Sequence, residues 1–153
     1  MRLLPTFLVL ANALAAGPVL AWEYGSTDRG DGQVIHHAMS LDASQSANAI
    51  FGCNTFTPGA LHFQLVTNQP AGPAQIATAE IGIEGQALRL EGKTGDVRGM
   101  MLLSVGASEA SAQAARAVYA AASSIVVTFN GQAYQFAGAD FGDGFGAMLD
   151  ACG

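Results

Sequence analysis

The sequence predicts an α+β protein in which an antiparallel β-sheet carries an Ala-rich helix and a C-terminal helix. Three patterns indicate this class. Short segments in the middle of the chain alternate apolar and polar side chains and are separated by turn residues, as antiparallel strands do. Apolar residues recur at a helical period in residues 108–122, and they do so again at the C-terminus.

The N-terminal part of the chain predicts two strands and two loops. A short strand is expected from Trp22, and a loop follows it in the Gly- and Asp-rich residues 25–32, because these residue types favour turns. A second strand is expected at residues 34–39. The polar residues 42–46 predict a further loop.

The middle of the chain predicts a series of hairpins. Residues 49–54 and 61–66 alternate around the turn Thr57-Pro58-Gly59, which predicts two paired strands. The sequence also predicts strands at residues 76–83, 86–91 and 97–105, a loop at residues 69–73, and turns at residues 84–85 and 92–96. Residues 124–129 and 133–136 flank Asn130-Gly131, a dipeptide that strongly favours a tight hairpin turn.

Two helices are expected in the last third of the chain. Residues 108–122 begin with Ser108 as a suitable N-cap and Glu109 in the first turn. The apolar face of this Ala-rich helix consists of Ala114, Ala115, Val118, Ala121 and Ala122. The C-terminal helix is predicted from an apolar stripe at helical spacing, formed by Phe141, Phe145, Met148, Leu149 and Cys152.

The chain contains two cysteines, Cys53 and Cys152, and we expect them to form a single disulfide. The bond would join the C-terminal helix to a core strand. The alternative is a pair of buried free thiols. Neither zinc ligation nor a redox motif is indicated, because the cysteines have no histidine nearby and do not form a CxxC sequence.

The first residues predict export. Arg2 is followed by a nearly continuous apolar segment, and small or compact residues precede Trp22, as in a cleavable signal peptide. We therefore expect residues 1–21 to be removed and residues 22–153 to form a single secreted domain without a membrane anchor. The expected location is the periplasm or the external medium, where thiols oxidise.

The charge distribution argues against nucleic acid as a partner. The chain carries twelve acidic and six basic residues, and its formal net charge is −6 at pH 7. The basic residues are scattered rather than clustered, whereas a nucleic-acid-binding surface needs a stripe of Lys and Arg. Nucleic acid is therefore not an expected partner.

A family resemblance is carried by several features together. These are Trp22 after the leader, Cys53 in a strand, the Ala-rich helix, the Val-Thr-Phe-Asn-Gly-Gln hairpin, and the segment Phe145-Gly146-Ala147-Met148-Leu149 before Cys152. In these features the chain resembles the small secreted bacterial envelope proteins of the invasion-associated locus B type. The resemblance implies a β-rich periplasmic or surface domain without established catalysis. The chain differs from that pattern in having only one pair of cysteines.

The histidines are the first candidates for chemistry. His36, His37 and His62 could supply metal ligands, but adjacent strand residues point to opposite faces, so His36 and His37 do not readily share one ion. Glu80 and Glu91 could meet across two strands, although both are expected on a solvated face. The sequence therefore predicts no catalytic residues and no metal ligands among these candidates.

The acidic loops and one adhesion tripeptide complete the set of candidates. Asp28 and Asp31, and likewise Asp140 and Asp143, lie in Gly-rich segments but lack the spacing of an EF-hand calcium site. Turn formation and helix capping explain both segments. The tripeptide at residues 29–31, Arg-Gly-Asp, is recognised by some animal adhesion receptors and is interpreted here as part of a loop.

These observations lead to a functional expectation. We expect an exported, non-enzymatic binding or accessory protein with no cofactor, whose partner is another envelope protein. An exposed sheet edge is one surface that such a partner could pair with. The alternative is a small periplasmic hydrolase that uses a histidine and a carboxylate, which would require these groups to meet in a pocket. A self-assembling coat subunit is a third hypothesis, but the sequence has no long internal repeats.

Overall fold

The computed structural model describes residues 20–121, 123–139 and 144–153, which form one curved sheet and two helices. The strands are β1 (Glu23–Asp28), β2 (Val34–Leu41), β3 (Ala47–Asn54), β4 (His62–Pro70), β5 (Ile76–Ile83), β6 (Gln86–Val97), β7 (Met100–Val105), β8 (Ile125–Phe129) and β9 (Gln132–Phe136). The helices are α1 (Glu109–Ala120) and α2 (Gly144–Cys152). The α+β class fits broadly, although the sheet is the dominant component.

The nine strands form a single antiparallel sheet in the order β1-β2-β3-β4-β7-β6-β5-β8-β9, curved into a half-barrel. Two hydrogen bonds connect its two ends. The backbone N–H of Ala43 donates to the carbonyl oxygen of Gln135 at 2.9 Å, and the indole Nε1 of Trp22 donates to the carbonyl oxygen of Ala137 at 2.7 Å. The region after the last strand therefore lies against the first strands of the chain.

Tight two-residue turns close three of the hairpins. Glu84-Gly85, Arg98-Gly99 and Asn130-Gly131 each have two successive residues with positive φ. This is the type I′ geometry, whose twist matches that of the flanking strands. The hairpin at Asn130-Gly131 and the turn at residues 84–85 confirm the sequence predictions.

One predicted turn is wrong. Residues 92–96 continue β6, and the turn lies instead at Arg98-Gly99, so β7 begins at Met100 rather than at residue 97. Gly92 is a packing residue in this strand, because a Cβ atom there would collide with the carbonyl oxygen of Ser104. The glycine permits the close approach of β6 and β7 and does not form a turn.

Two predicted loops are shorter than expected. β1 continues to Asp28, because residues 23–28 pair along their whole length with β2, and the loop is confined to the residues between these strands. β4 continues to Pro70, after a register shift between Thr67 and Pro70. Cross-strand pairing in both places prevails over the local preference of glycine, serine and asparagine for turns.

Both helices confirm the prediction within the described residues. Ser108 caps α1 by accepting a hydrogen bond from the backbone N–H of Ser111, and the predicted apolar face is buried at Ala114, Ala115, Val118 and Ala121. Ala122 of the α1 face and Phe141 of the C-terminal stripe lie outside the described residues, as does the expected signal peptide except for residues 20 and 21.

The core lies on the concave side of the sheet, where α1 packs on β4, β5 and β6 and α2 packs on β1, β2 and β3. Phe145 of α2 is fully buried there, and its ring lies 5.0 Å from that of Trp22 and 5.5 Å from that of Phe51. The expected disulfide is confirmed: Cys152 of α2 is bonded to Cys53 of β3, with a Cα–Cα distance of 5.7 Å.

Replacement of Phe145 by alanine should strongly destabilise the fold. The substitution leaves a cavity among Trp22 and Phe51, and truncation of a buried phenylalanine costs about 3–5 kcal/mol in the free energy of unfolding. Urea denaturation measures this loss. Phe56→Ala is the matched control, because Phe56 is 62% exposed and its removal should change stability by less than about 0.5 kcal/mol. Equal effects of the two substitutions would contradict this description of the core.

Removal of the disulfide should also destabilise the protein. The bond joins cysteines that are 99 positions apart, and opening so long a loop releases conformational entropy in the unfolded chain. The double variant Cys53→Ala, Cys152→Ala should lose about 4 kcal/mol in the free energy of unfolding. The comparison is made by urea denaturation of both proteins under identical conditions, and a loss below about 1 kcal/mol would show that α2 is held by packing alone.

Candidate functional site

The face of the sheet opposite the helices is not covered by the core. We call the part of it formed by β2, β3, β4 and β7 the outer face. It carries half-buried apolar side chains from the central strands: Ile35, Met39, Ile50, Val66 and Leu102. Neither described helix packs on it. Such an apolar sheet face is typical of a surface that contacts another molecule.

One end of the outer face contains an open groove of about 370 Å³. The groove lies between the β2–β3 loop and the β6–β7 turn, with the ends of β3 and β4 beneath it. Its principal lining residues are Leu41, Val66, Val97, Met100, Asn48 and Asn68. Within the described part of the chain, no charged side chain lines the groove.

A carboxylate organises the loop on one side of the groove. Asp42 is 2% exposed, and its oxygens accept hydrogen bonds from the backbone N–H groups of Ser46 at 2.6 Å and Ala47 at 2.7 Å. The backbone N–H and the hydroxyl of Ser44 donate to the same carboxylate. These bonds close the polar loop predicted at residues 42–46 and fix its shape.

The hydrogen bonds determine the ionisation of Asp42. Burial alone would raise the pKa of this carboxyl group. The hydrogen bonds from the Ser44 hydroxyl and from the backbone N–H groups of Ala47, Ser46 and Ser44 outweigh burial and hold the pKa below its usual value. Asp42 is therefore a carboxylate at neutral pH, and its charge stabilises the loop.

The β6–β7 turn, on the opposite side of the groove, is also held by a carboxylate. Asp96 Oδ1 accepts a hydrogen bond of 2.7 Å from the backbone N–H of Gly99, inside the β6–β7 turn. The carbonyl oxygen of Gly99 accepts a second bond, of 3.0 Å, from the backbone N–H of Ala71. The register shift in β4 after Thr67 adjoins this turn. Strand irregularities of this kind often adjoin binding sites.

Asn48 places an unpaired polar atom at the groove. Its Nδ2 donates to the sulfur of Met39 at 2.9 Å, whereas its Oδ1 is buried and has no hydrogen-bond donor among the described residues. A buried acceptor without a partner costs about 1–3 kcal/mol.

The histidines are divided between the two faces of the sheet, as strand alternation predicts. His36 faces the side of α2, where its Nδ1 lies 2.8 Å from the hydroxyl of Tyr24 and the two rings stack. His37 and His62 share the outer face, with Gly52 of β3 between them in the register. Burial, and secondarily the charge of His37, lower the pKa of His62.

The other candidate residues do not form a site with the histidines. In the part of the chain that the structure describes, no hydrogen bond or ion pair joins a histidine to a carboxylate, and no cluster of three metal-ligating side chains is present. Glu80 and Glu91 are exposed, on adjacent strands, with Glu80 opposite Arg89. A histidine in contact with a carboxylate, which the hydrolase hypothesis requires, is therefore not found among these residues.

The Gly-rich acidic segments behave as turns where they are described. Asp28 accepts a hydrogen bond from the N–H of Gly30, and Asp31 accepts one from the N–H of Gln33, so both close the β1–β2 loop. The tripeptide at residues 29–31 is exposed at the tip of that hairpin. Asp140 and Asp143 lie outside the described residues.

Comparison with known proteins leaves the family open. The chain matches no protein-family profile, no curated protein and no solved structure. The resemblance to the invasion-associated locus B type therefore stays a prediction. The disulfide suggests a location outside the cytoplasm. Among the described residues, neither helix is long and apolar enough to cross a membrane.

The sequence pattern singles out the histidines as candidates but not the residues that line the groove. The placement of His37 and His62 on either side of Gly52 depends on the register of three strands, and the groove depends on where β6 ends. The turn predicted at residues 92–96 places the end of β6 too early, because the strand ends at Val97 and β7 begins at Met100. The one available signal was Gly52, an isolated glycine inside an alternating strand, which often marks a close approach.

Replacement of Asp42 by asparagine should remove an acid-sensitive part of the stability. Because the pKa of Asp42 is lower in the folded than in the unfolded protein, its stabilisation is complete above about pH 4 and disappears as the pH falls through the lowered value. We expect Asp42→Asn to lose about 2 kcal/mol at pH 7, since charge-assisted hydrogen bonds are lost, and less at pH 3. Urea denaturation across this pH range measures the difference.

The control for this prediction is Asp31→Asn. Asp31 also closes a loop, but it is exposed and accepts one backbone hydrogen bond, of 3.0 Å from Gln33. Its replacement should change stability by less than about 0.5 kcal/mol at either pH. A pH-independent loss in Asp42→Asn would contradict the role assigned to the charge.

Proposed function

We propose that this protein is an exported, non-enzymatic binding module and that its groove receives an apolar peptide segment of another cell-envelope protein. The observation that carries the proposal is the preformed groove on the outer face, lined by Leu41, Val66, Val97 and Met100. Its volume is within the range of about 300–1,000 Å³ that is typical of ligand sites.

The form of the groove favours a protein over a small molecule. Enclosed pockets bury most of a small ligand, whereas this groove is open and continuous with the apolar side chains of Met39, Ile50 and Leu102. A peptide would place one or two apolar side chains in the groove and rest on that surface.

The β2–β3 loop and the β6–β7 turn on the two sides of the groove are already held in place, which favours binding without a large rearrangement. Asp42 holds the β2–β3 loop, Asp96 holds the β6–β7 turn, and the N–H of Asn68 donates to the carbonyl oxygen of Ser46 between them at 2.8 Å. A site that is already ordered loses less conformational entropy when a partner binds. The absence of charge in the lining favours an uncharged, apolar segment as the occupant.

Site-specific cross-linking in the producing cell tests this proposal. A photoreactive amino acid at position 100 should form an adduct with one defined envelope protein, identifiable by mass spectrometry. Val66→Asp in the same chain should abolish the adduct, because it places a charge in the apolar groove. Circular dichroism of the variant verifies that the fold is retained.

Position 126 is the matched control. Val126 of β8 is 39% exposed and Met100 is 38% exposed, but Val126 lies away from the groove. A probe at position 126 should give no such adduct. The same adduct at both positions, or an adduct at position 100 that Val66→Asp leaves unchanged, would refute the groove as the binding site.

A further inference from the structure

We propose that His37 and His62 form a surface site for a borderline divalent transition metal ion such as Cu²⁺ or Zn²⁺, held over Gly52 on the outer face. The two histidines would supply two imidazole nitrogens. Water or an external ligand would complete the coordination. This site is separate from the groove and does not depend on the function proposed for it.

The register of the sheet places the two histidines in one row. Gly25 of β1 lies opposite His37 of β2, His37 lies opposite Gly52 of β3, and Gly52 lies opposite His62 of β4. The two histidines are therefore separated by two strand spacings, about 9.5 Å. A metal ion midway would lie about 5 Å from either strand, within reach of an imidazole side chain.

The glycines leave the space that the two imidazole rings occupy. A Cβ atom at Gly52 would lie 3.0 Å from both Cε1 and Nε2 of His62, so the ring of His62 extends over Gly52 toward β2. A Cβ atom at Gly25 would lie 2.6 Å from Nε2 of His37, so the ring of His37 rests over Gly25. Both rings lean in the same direction along the row.

A rotation of one side chain completes the site. If His37 adopts another staggered χ1 rotamer, its ring leaves Gly25 and turns toward Gly52, where it meets Nε2 of His62. No side chain at position 52 obstructs this movement. Neither ring makes a hydrogen bond within the described part of the chain, so the nitrogen atoms are free to ligate.

The ligand set determines the kind of metal. Two imidazoles without a carboxylate or a thiolate favour Cu²⁺, Ni²⁺ and Zn²⁺ over Ca²⁺ and Mg²⁺, which prefer oxygen ligands. The affinity for Cu²⁺ should exceed that for Zn²⁺, in accordance with the general order of divalent-ion stability.

Calorimetric titration of the tag-free, disulfide-bonded protein with Cu²⁺ and with Zn²⁺ tests the inference. We expect one ion per chain and an affinity that falls by about tenfold or more in His37→Ala and in His62→Ala. His36→Ala is the control, because His36 lies on the same strand but faces α2 and Tyr24. It should bind as the wild type does. A loss in all three variants, or no binding by the wild type, would overturn the proposal.

A second variant tests the rotation. In Gly25→Ala the new methyl group occupies the resting place of the His37 ring and favours the rotamer that turns toward Gly52. This variant should bind Zn²⁺ several-fold more tightly than the wild type, because more of the protein is already in the binding conformation. In NMR spectra, Zn²⁺ should shift the ring protons of His37 and His62 but not those of His36. An unchanged or weaker affinity in Gly25→Ala would overturn the proposed geometry.

Discussion

The packing of α2 against the first three strands is the interaction on which the rest of the structure depends. Phe145 contacts the rings of Trp22 and Phe51, and the last turn of the same helix is bonded to β3 through Cys152 and Cys53. Trp22 in turn donates to Ala137, just beyond β9. One aromatic cluster thereby joins both ends of an open sheet, which would otherwise expose its concave side to water.

Because aromatic rings and two helices fill the concave side, the outer face is the surface that remains for recognition. Its groove lies between two turns, and each turn is held by a carboxylate, Asp42 or Asp96. His37, Gly52 and His62 lie side by side on the same face, several residues along β2 and β4 from the groove. Rigid strands position both features, so the protein presents them without induced folding.

The sequence predicted local structure well wherever one pattern acted alone. Asn130-Gly131, the capped helix at Ser108 and the alternating face of Cys53 required only neighbouring residues, and all three are confirmed. Prediction failed where pairing partners decided the outcome, as at Gly92, whose packing against Ser104 is a contact between strands. The groove depends on register across several strands, which no single segment encodes. The same is true of the placement of His37 and His62 on either side of Gly52.

The disulfide closes a covalent ring that contains six of the nine described strands. Cys53 lies in β3 and Cys152 lies in α2, so β4 to β9 and α1 all lie between the two bonded residues. A single cut of the backbone anywhere between them would leave the two fragments covalently joined. Proteolytic nicking of an exposed loop in this region would therefore not separate the protein into two pieces unless the bond was reduced as well.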